Sequence, residues 1–414
     1  MLLLDKINIY LFLSLPLLLV TGPLLSDLAI SIIAITALIN FKKIIKAKII
    51  NNFFKIFFIF CIYIITRSLF SDYPLLSLES SLFYFRFGLF SLMIIFLLKE
   101  YPSFYDKFFK FLIVIFFIIA LDGYIQAIFG YNLIGYPRPQ QLRISGFFGD
   151  QMVLGSYLVR LLPFCIIAII LKFKNNNNLK NYISFFLLFS MGIIILTGER
   201  SAIFLFFLFF LFFILLNKFF NIKSKIFIIL ICSILCCIIF VLSEKVQKRF
   251  NQTIDGFYKN INEYGEHYQG KKLFIFTHDT ESHYIAAWRM FKKNKLFGYG
   301  TKTFRKHCND KDIKYDNYSC TTHPHNTYIQ FLAETGIIGF LFLLSFLIFI
   351  FYKILNLLFS SNKKYISRNI QLCIYLCFLI NLWPFLPTGN FFNNWLSIVY
   401  FLPVPFLFLK KNDL

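Results

Sequence analysis

Two histidines, His323 and His325, flank Pro324 just before a long apolar stretch of the chain. Imidazole is the side chain best suited to proton transfer near neutral pH. Proline stops a helix from continuing through it, so we expect His325 and Asn326 in the first turn of a new helix. In that turn, unpaired backbone N–H groups and the helix dipole favour an anion and keep a nearby imidazole neutral. The pattern predicts a general base, His325, beside an anionic substrate.

Other interpretations of the histidine run stay open at this point. The pair could bind a metal ion, although two histidines with no carboxylate at ligand spacing are weak evidence for one. The residues could also be interfacial polar groups that only cap a helix. A separate metal site built from His307, Cys308 and Cys320 is conceivable, but its ligand spacing matches no familiar pattern.

Two arginines occupy positions where a charged side chain is energetically costly unless it has an ionic partner or a function. Arg86 and Arg160 fall within apolar stretches, where a cation usually faces a cavity or an ionic partner. Ion pairs with Asp122 or Glu334 would give them a structural role. Binding of a substrate is the alternative, and the sequence does not favour either.

Arg200 lies in a connection of only five residues between two apolar stretches, Thr197-Gly198-Glu199-Arg200-Ser201. So short a connection holds the guanidinium group at the membrane surface with little freedom. The sequence allows a functional cation here. It equally allows a plain turn in which Glu199 and Arg200 form a local charge pair.

The composition predicts that these residues belong to a polytopic membrane protein. Of 414 residues, 58% are hydrophobic, 15% are charged and 59 are phenylalanine, which is far more apolar than a soluble domain of this size. A spanning helix needs about 20 mostly apolar residues. We expect an all-α fold with about twelve such helices, at residues 7–20, 24–41, 53–70, 77–98, 110–129, 151–171, 182–197, 201–217, 225–243, 326–352, 369–386 and 391–409.

The formal net charge of +22 indicates membrane orientation and not a nucleic-acid partner. Lysines cluster at alternate ends of the apolar stretches, which is the pattern of cytoplasmic loops. An even number of spans then places both termini in the cytoplasm. The first apolar stretch lacks a small-residue cleavage site, so we interpret it as a retained helix and not a signal peptide.

One long interruption of the apolar pattern divides the chain into three parts. Residues 1–243 form a bundle of about nine helices, residues 244–325 a non-cytoplasmic loop or lobe, and residues 326–414 about three further helices. Within the lobe, a helical pattern places Trp288 and Met290 near one face.

Two of the nine cysteines, Cys308 and Cys320, lie in that lobe, and the other seven lie within apolar stretches. An oxidising compartment favours pairing of exposed cysteines, so we expect a disulfide between these two. The alternative is two unrelated thiols.

The kind and order of these motifs resemble those of the O-antigen ligase and O-antigen polymerase superfamily. The resemblance extends from about Arg143 to Gly339, and the twelve-span layout fits the rest of the chain. Four segments carry it, in chain order Arg143-Ile144-Ser145-Gly146-Phe147-Phe148, Gly198-Glu199-Arg200-Ser201-Ala202, Phe297-Gly298-Tyr299-Gly300 with Phe304, and His323-Pro324-His325-Asn326-Thr327-Tyr328 with Glu334, Gly336 and Gly339.

The resemblance implies an inverting, metal-independent glycosyltransferase without a cofactor. Such an enzyme moves a glycan from a polyprenyl-diphosphate carrier to an acceptor hydroxyl at the periplasmic face of the bacterial inner membrane. By matching position, His325 is the base that deprotonates the acceptor and Arg200 holds the diphosphate. The family has a second basic residue that helps to bind the diphosphate, and His283 occupies its position here. We therefore expect Arg289, in preference to Arg305, to bind the diphosphate together with Arg200. The residues expected near the substrate are Arg143, Arg289, Arg305, His323, Asn326 and Glu334.

The acceptor distinguishes three activities within the superfamily. A ligase uses the lipid A core, a polymerase uses the growing glycan, and a third kind of relative uses protein side chains. The single large outer loop before the histidine run favours a ligase of lipopolysaccharide biosynthesis.

Two classes outside the superfamily remain as alternatives. A transporter of lipid-linked glycan would place Arg86 and Arg160 along a pathway, and it predicts inverted repeats and broken helices, which we do not detect in the sequence. A scaffold without enzymatic activity would not require His325, Arg200 and Asn326 at one surface.

Overall fold

A computed structural model of the chain describes residues 3–139, 142–252, 254, 276–359 and 365–408. These residues contain α-helices, one short 3-10 helix at Gly146–Phe148 and no β-strand, which confirms the all-α prediction. The helices are α1 (Leu3–Leu18), α2 (Pro23–Ile39), α3 (Phe41–Lys46), α4 (Asn52–Leu69), α5 (Pro74–Ser81), α6 (Arg86–Glu100), α7 (Ser103–Phe129), α8 (Leu154–Phe173), α9 (Leu179–Leu196), α10 (Arg200–Leu216), α11 (Ile222–Leu242), α12 (His278–Lys293), α13 (Phe304–His307), α14 (Thr327–Phe359), α15 (Tyr365–Asn381), α16 (Asn394–Phe401) and α17 (Val404–Leu407).

Seven stretches of the described chain are long and apolar enough to cross a membrane: α4, the pair α5–α6, α7, α8, α9, α11 and α14. Four shorter apolar stretches, α2, α10, α15 and the pair α16–α17, have 10–17 residues. The chain is therefore a multi-pass membrane protein, as its composition predicts. Each predicted span contains a helix, while the count of twelve crossings stays a prediction.

The predicted span at residues 77–98 is two helices and not one. Arg86 is the first residue of α6, so it lies where the two helices of this stretch meet. Its Nη2 lies 2.6 Å from Oδ1 of Asp27 on α2. The expected pairing of Arg86 with Asp122 or Glu334 is therefore wrong. Helix α2 packs along α6, and its Asp27 supplies the carboxylate that pairs with Arg86.

Arg160 is buried in α8 and also has partners other than those expected. Its Nη1 donates to Oδ1 of Asn381, the last residue of α15. The guanidinium group lies 5.9 Å from the ring centroid of Tyr400 and within electrostatic reach of Glu199. A carboxamide, an aromatic ring and a carboxylate thus stabilise this cation and join α8 to the C-terminal helices.

The long helix α14 is broken at Gly336, whose backbone has φ +63° and ψ −169°. A helix break releases N–H and C=O groups, which must find other partners within a membrane. The segment 295–300 supplies those partners. The backbone hydrogen bonds run from Ile337 N to Lys295 O (2.8 Å), Ile338 N to Leu296 O (3.4 Å), Tyr299 N to Ala333 O (3.1 Å) and Gly300 N to Glu334 O (2.7 Å).

Only glycine fits where these two segments cross. A Cβ on Gly336 would lie 2.3 Å from the carbonyl oxygen of Leu296, and one on Gly298 would lie 2.5 Å from the nitrogen of Gly336. Both glycines also have left-handed backbones, with φ of +63° and +67°. From α4, Tyr63 Oη donates to Thr335 O (2.5 Å) and Arg67 Nε donates to Gly298 O (2.8 Å). The close packing of the two segments therefore explains why glycine occupies positions 298 and 336.

The broken helix corrects one sequence expectation, because the apolar pattern gives no sign of it. In transporters, broken helices line a substrate cavity. Here Gly336 is buried, and the backbone of another segment fills the gap. The break is therefore a packing feature and does not argue for transport.

The lobe packs against the first turns of α14 around a small core that includes Met290, Phe304 and Ala333. Met290 is buried on α12, whereas Trp288 is 46% exposed. The expectation that these two share a face is wrong, because residues two apart on a helix point about 200° from each other.

Cys308 and Cys320 form a disulfide in the structure, with their Cα atoms 5.2 Å apart. Both sulfur atoms are used in this bond, so neither cysteine can serve as a metal ligand in this form. Residues 255–275, the centre of the predicted lobe, lie outside the described residues.

We expect Gly336→Ala to destabilise the protein, because the added Cβ meets the Leu296 carbonyl oxygen at 2.3 Å and the backbone is left-handed. Overpacking costs about 1–3 kcal/mol, and the left-handed backbone costs about 1–2 kcal/mol. Thermal unfolding in detergent measures the loss. The matched control is Gly149→Ala, since Gly149 has φ +58° and nothing lies within 4 Å of its added Cβ. Equal losses in the two variants would show that the crossing does not require glycine.

Candidate active site

His325 has a backbone conformation that is rare for a residue with a side chain. Its φ is +55°, in the left-handed region that residues other than glycine seldom adopt. A hydrogen bond from Thr388 N to the carbonyl oxygen of His325 (2.8 Å) stabilises this turn. Such backbone positions often mark functional sites, because the surrounding structure must hold them in place.

Asn326 is the N-cap of α14. Its Oδ1 accepts from Tyr328 N (2.9 Å) and Ile329 N (3.1 Å), and its Nδ2 donates to Pro384 O (2.8 Å). His325 therefore precedes the cap and does not lie in the first turn. Two of the N–H groups that were expected to hold an anion are occupied by this side chain, so that part of the expectation is wrong.

His323 is buried and both of its ring nitrogens are occupied. Nε2 lies 3.2 Å from Thr388 O, and because a carbonyl oxygen only accepts, Nε2 carries the proton. Nδ1 then accepts from Thr322 Oγ1 at 2.9 Å. Burial lowers the pKa of His323 to about 3, with a smaller contribution from His325. His323 is thus neutral and has no ring nitrogen left for a further partner.

The imidazole of His325 is half-buried, and its ring nitrogens, unlike those of His323, are available for hydrogen bonding. Within the described chain, no residue forms a hydrogen bond with its ring nitrogens. The ring centroids of His323 and His283 lie 4.2 Å and 5.3 Å away. Burial lowers the pKa of His325, and burial followed by the neighbouring His325 lowers the pKa of His283. Three neutral imidazoles therefore meet here, and His325 can accept a proton from outside.

The loop at residues 382–393 positions the histidine run. It contacts both the residues before α14 and the first turns of that helix. The hydrogen bonds, besides that of Asn326, are Thr388 N to His325 O (2.8 Å), His323 Nε2 with Thr388 O (3.2 Å), Thr327 Oγ1 with Thr388 Oγ1 (2.9 Å), Tyr328 Oη to Leu382 O (2.6 Å), Gln330 Nε2 to Asn390 Oδ1 (2.8 Å) and Phe391 N to Gln330 Oε1 (3.0 Å).

The role of this loop is not apparent from the sequence expectations. The predicted spans at 369–386 and 391–409 leave almost no connection, whereas α15 ends at Asn381 and α16 begins at Asn394. A signal was present, since Pro384 and Gly389 are residues that interrupt helices.

Glu334 is fully buried in α14, at 0% exposure. Its Oε2 accepts from Gln330 Nε2 (2.9 Å), and its Oε1 accepts from the backbone N–H of Phe304 (3.3 Å). The carboxylate therefore joins α14 to the start of α13. In this conformation it offers no contact to a substrate, although a substrate contact is what the motif predicts.

The two lobe arginines expected near the substrate have different surroundings. Arg289 Nη1 donates to Lys314 O (2.6 Å), and its guanidinium group lies 5.2 Å from the ring centroid of Tyr315. Arg305 lies close enough to His323 to contribute to the lowering of its pKa. The Nε of Arg305 is buried and has no hydrogen-bond partner among the described residues. Arg305 is thus associated with the histidines, and Arg289 with the rest of the lobe.

Three arginines gather around the turn between α9 and α10. Arg249 Nε donates to Gly198 O (3.3 Å), and Arg143 Nη2 donates to Met152 O (2.9 Å). Burial lowers the pKa of Arg249, and the charges of Arg200 and Arg143 lower it further. The structure therefore places Arg249 with the two predicted arginines. No motif in the sequence marks it, because it is distant from both along the chain.

The carboxylate of Glu199 forms hydrogen bonds with the start of α8, and the structure shows no ion pair within 4.0 Å between it and Arg200 among the described residues. Its Oε1 accepts from Gly155 N (2.7 Å), and its Oε2 accepts from Ser156 N (3.1 Å) and Ser156 Oγ (2.8 Å). The carboxylate thus caps the N-terminal end of α8, where the helix dipole favours a negative charge.

The histidine and arginine groups lie at the same end of the bundle. The N-terminal end of α8 is bonded to Glu199, and within two turns Arg160 is bonded to Asn381 at the end of α15. The loop that follows Asn381 then bonds to His325. Arg200, which follows Glu199 directly, therefore lies at the same end of the bundle as His325.

An apolar cavity of about 360 Å³ extends along α14 from Phe331, in its second turn, to Phe349. Phe331 and Phe391 form the wall nearest the histidine run, and Asn381 and Tyr400 contribute polar atoms. Mostly apolar walls with a few polar groups are typical of a ligand site. The cavity can accommodate a lipid chain.

Residues 184–344 match the family model described as O-antigen ligase. This match covers about two fifths of the chain and supports the O-antigen ligase and polymerase superfamily. The resemblance inferred from the motifs is thereby confirmed, and an O-antigen ligase-type membrane glycosyltransferase is the class of enzyme that it supports. A search of curated proteins found no match.

The O-antigen ligase match begins in α9 and ends in α14. It includes Arg200, Arg249 and His325. It does not include Arg143, which the sequence motif names, or the loop at 382–393, which is known here only from the structure.

Two variants of Asn326 separate capping from contact with the loop of this O-antigen ligase-type site. Asn326→Ala removes both, and loss of the cap costs about 1 kcal/mol. Asn326→Asp keeps an oxygen for the cap but loses the Nδ2 bond to Pro384 O. We expect both variants to melt earlier, since the aspartate oxygen faces the Pro384 carbonyl oxygen, and both to lose glycan transfer, as measured by thermal unfolding and by a transfer assay. Full transfer by the aspartate variant would show that the loop contact does not position His325.

Proposed function

We propose that the chain transfers a glycan from a polyprenyl-diphosphate carrier to an acceptor hydroxyl, with the lipid A core as acceptor. The observation that carries this proposal is that a neutral, available His325 and a group of three arginines lie at one end of the bundle. A neutral imidazole suits deprotonation of a hydroxyl. Guanidinium groups suit a diphosphate, which they can bind through paired hydrogen bonds.

The reaction is a single displacement at the anomeric carbon of the glycan. The acceptor oxygen forms a bond to that carbon while the bond from the carbon to the diphosphate oxygen breaks. The hydroxyl proton passes to His325, and the diphosphate leaves with the electron pair of the broken bond. Attack opposite the leaving group inverts the configuration. No step is assigned to a metal ion.

The arginines stabilise the charge that develops on the leaving diphosphate. Arg200 and Arg143 are the predicted residues, and we include Arg249 because the charges of both act on it. The neutral His283 cannot supply a second cation from the lobe. Arg305 is better placed for that task than Arg289, because it lies near His323.

The proposed arrangement in the cell follows the lysine pattern of the sequence. It has about twelve spans, both termini in the cytoplasm, and the lobe of residues 244–325 and the active site in the periplasm at the bacterial inner membrane. Residues 1–243 and 326–414 form the two membrane parts. The cavity of about 360 Å³ beside α14 supports a lipid-linked donor, since its walls are mostly apolar and it begins at Phe331 in the second turn of that helix. A polymerase or a protein glycosyltransferase would use the same donor.

The direct test compares the parent chain with His325→Ala and Arg200→Ala in membranes supplied with polyprenyl-diphosphate glycan and lipid A core. We expect transfer to fall at least about 100-fold in each variant, because a base and a charge-stabilising donor are each worth about that much. Arg289→Ala serves as the arginine control and should lose far less, since its contacts are with Lys314 and Tyr315. Equal membrane insertion is checked first.

Undiminished transfer by the His325 variant would overturn the mechanism. The acceptor that the parent chain uses decides the subclass. Elongation of the glycan itself would replace the ligase assignment with a polymerase, and glycan on protein would indicate the third kind of relative.

The sign of the pH dependence follows from the burial of His325. Burial lowers its pKa below the ordinary value of 6.5, so the neutral form persists below that pH. As the pH falls through the lowered pKa, His325 binds a proton and can no longer act as a base. We expect kcat/KM for transfer to be constant near neutral pH and to fall only below about pH 6.5. A fall that begins above pH 7 would contradict the assignment of His325 as the base.

A further inference from the structure

A second cavity, of about 610 Å³, lies at the opposite end of the bundle from the histidines. It is bounded by the start of α7, the end of α8 and the start of α9. Because α8 begins next to Glu199 and runs through the bundle, its last turn lies far from the proposed active site. This cavity therefore has no part in the proposed transfer reaction.

The cavity is apolar in its interior and polar at its mouth. Its interior walls come from aromatic and aliphatic side chains of α7, α8 and α9, such as Phe117, Ile169 and Phe186. Its polar lining residues lie near the helix ends, and they are Asp106, Lys110, Lys172 and Tyr182. That distribution matches a molecule with a polar head and apolar chains.

The mouth carries two lysines on neighbouring helices, Lys110 on α7 and Lys172 on α8. Neither lysine forms an ion pair within 4.0 Å with an acidic residue of the described chain. Asp106 is the acidic residue of the lining, so the lining keeps a net positive charge. Further lysines at the same helix ends, at positions 107, 174 and 180, raise the local positive potential.

The mouth also has an ordered aromatic edge. Lys172 Nζ lies 5.3 Å from the ring centroid of Phe173, and Phe173 stacks on Tyr182 at a centroid distance of 4.2 Å. The cation–π contact and the ring stack hold the ammonium group beside the opening. Aromatic residues with a polar tip are typical of the membrane–water boundary, where lipid head groups lie.

We propose that this cavity binds an anionic phospholipid, with its chains between α7, α8 and α9 and its phosphate between Lys110 and Lys172. Basic pockets between spanning helices on the lysine-rich side of a membrane protein recognise anionic head groups in this way. A cavity of about 610 Å³ is large enough for part of two chains. The bound lipid would tie together three helices whose ends separate at this point.

The test uses the full chain, purified in detergent and reconstituted in nanodiscs that contain phosphatidylglycerol and phosphatidylcholine in equal amounts. Native mass spectrometry counts the lipids that remain bound on release. We expect the parent chain to retain phosphatidylglycerol in preference, and Lys110→Gln with Lys172→Gln to reduce that retention at least five-fold. The matched control is Lys42→Gln with Lys43→Gln, which removes the same charge from exposed lysines of α3 outside both cavities.

Three outcomes would overturn the proposal. They are unchanged retention in the Lys110 and Lys172 variant, an equal loss in the control, and equal retention of the two lipids by the parent chain, which would mean a gap filled by any bilayer lipid. Ala168→Phe provides a second arm, because Ala168 is a buried residue of the cavity lining, and the larger side chain narrows the apolar part while both lysines stay in place. Loss of phosphatidylglycerol from this variant supports the proposal, and normal retention contradicts it.

Discussion

The backbone crossing between residues 295–300 and the break in α14 is the contact on which the rest of this structure depends. A spanning helix that is broken at Gly336 would leave unpaired peptide groups in the membrane, and that is prohibitively costly unless protein supplies the partners. Residues 295–300 supply them through four backbone hydrogen bonds, and Gly298 allows the close approach. The same contact docks the lobe on the first turns of α14. The positions of Arg305 and His283 relative to His325 therefore follow from a backbone interaction.

The second constraint is the loop at residues 382–393, which fixes the residues just before α14. A hydrogen bond from Thr388 N holds His325 in a left-handed conformation. The carbonyl oxygen of Thr388 accepts from His323 Nε2 and so fixes the tautomer of His323. These are main-chain contacts, so they depend on the path of the loop more than on the identity of its side chains. One histidine is thereby committed to structure, and the other keeps its ring nitrogens available within the described chain. The division of roles between two neighbouring imidazoles is a property of this loop.

Charge is distributed in a way that agrees with the proposed function. Arg143, Arg200 and Arg249 meet at the end of the bundle that carries His325, although their mutual repulsion opposes such a grouping. Lysines gather at the other end. Guanidinium groups bind diphosphate through directed hydrogen bonds, whereas ammonium groups act as point charges towards lipid head groups. The two ends of the protein thus have the cations that suit a phosphorylated substrate on one side and a membrane surface on the other.

Composition, apolar lengths and motif order were enough to predict an all-α membrane protein of the O-antigen ligase superfamily, because these features depend on the solvent that each segment prefers and on local sequence. His325, Arg200 and Arg143 could be named from the sequence because motifs mark them. Arg249, the loop at 382–393 and the partner of Arg86 could not, because each depends on which helices pack side by side, and a membrane-spanning sequence encodes that pairing only weakly in its apolar pattern. The break in α14 could not be predicted from the sequence for a related reason. Glycine is common in membrane helices, and the backbone segment packed against a glycine decides whether the helix is broken there. The sequence by itself thus determined the class of protein and the residues capable of chemistry, and the tertiary structure decided which of them meet.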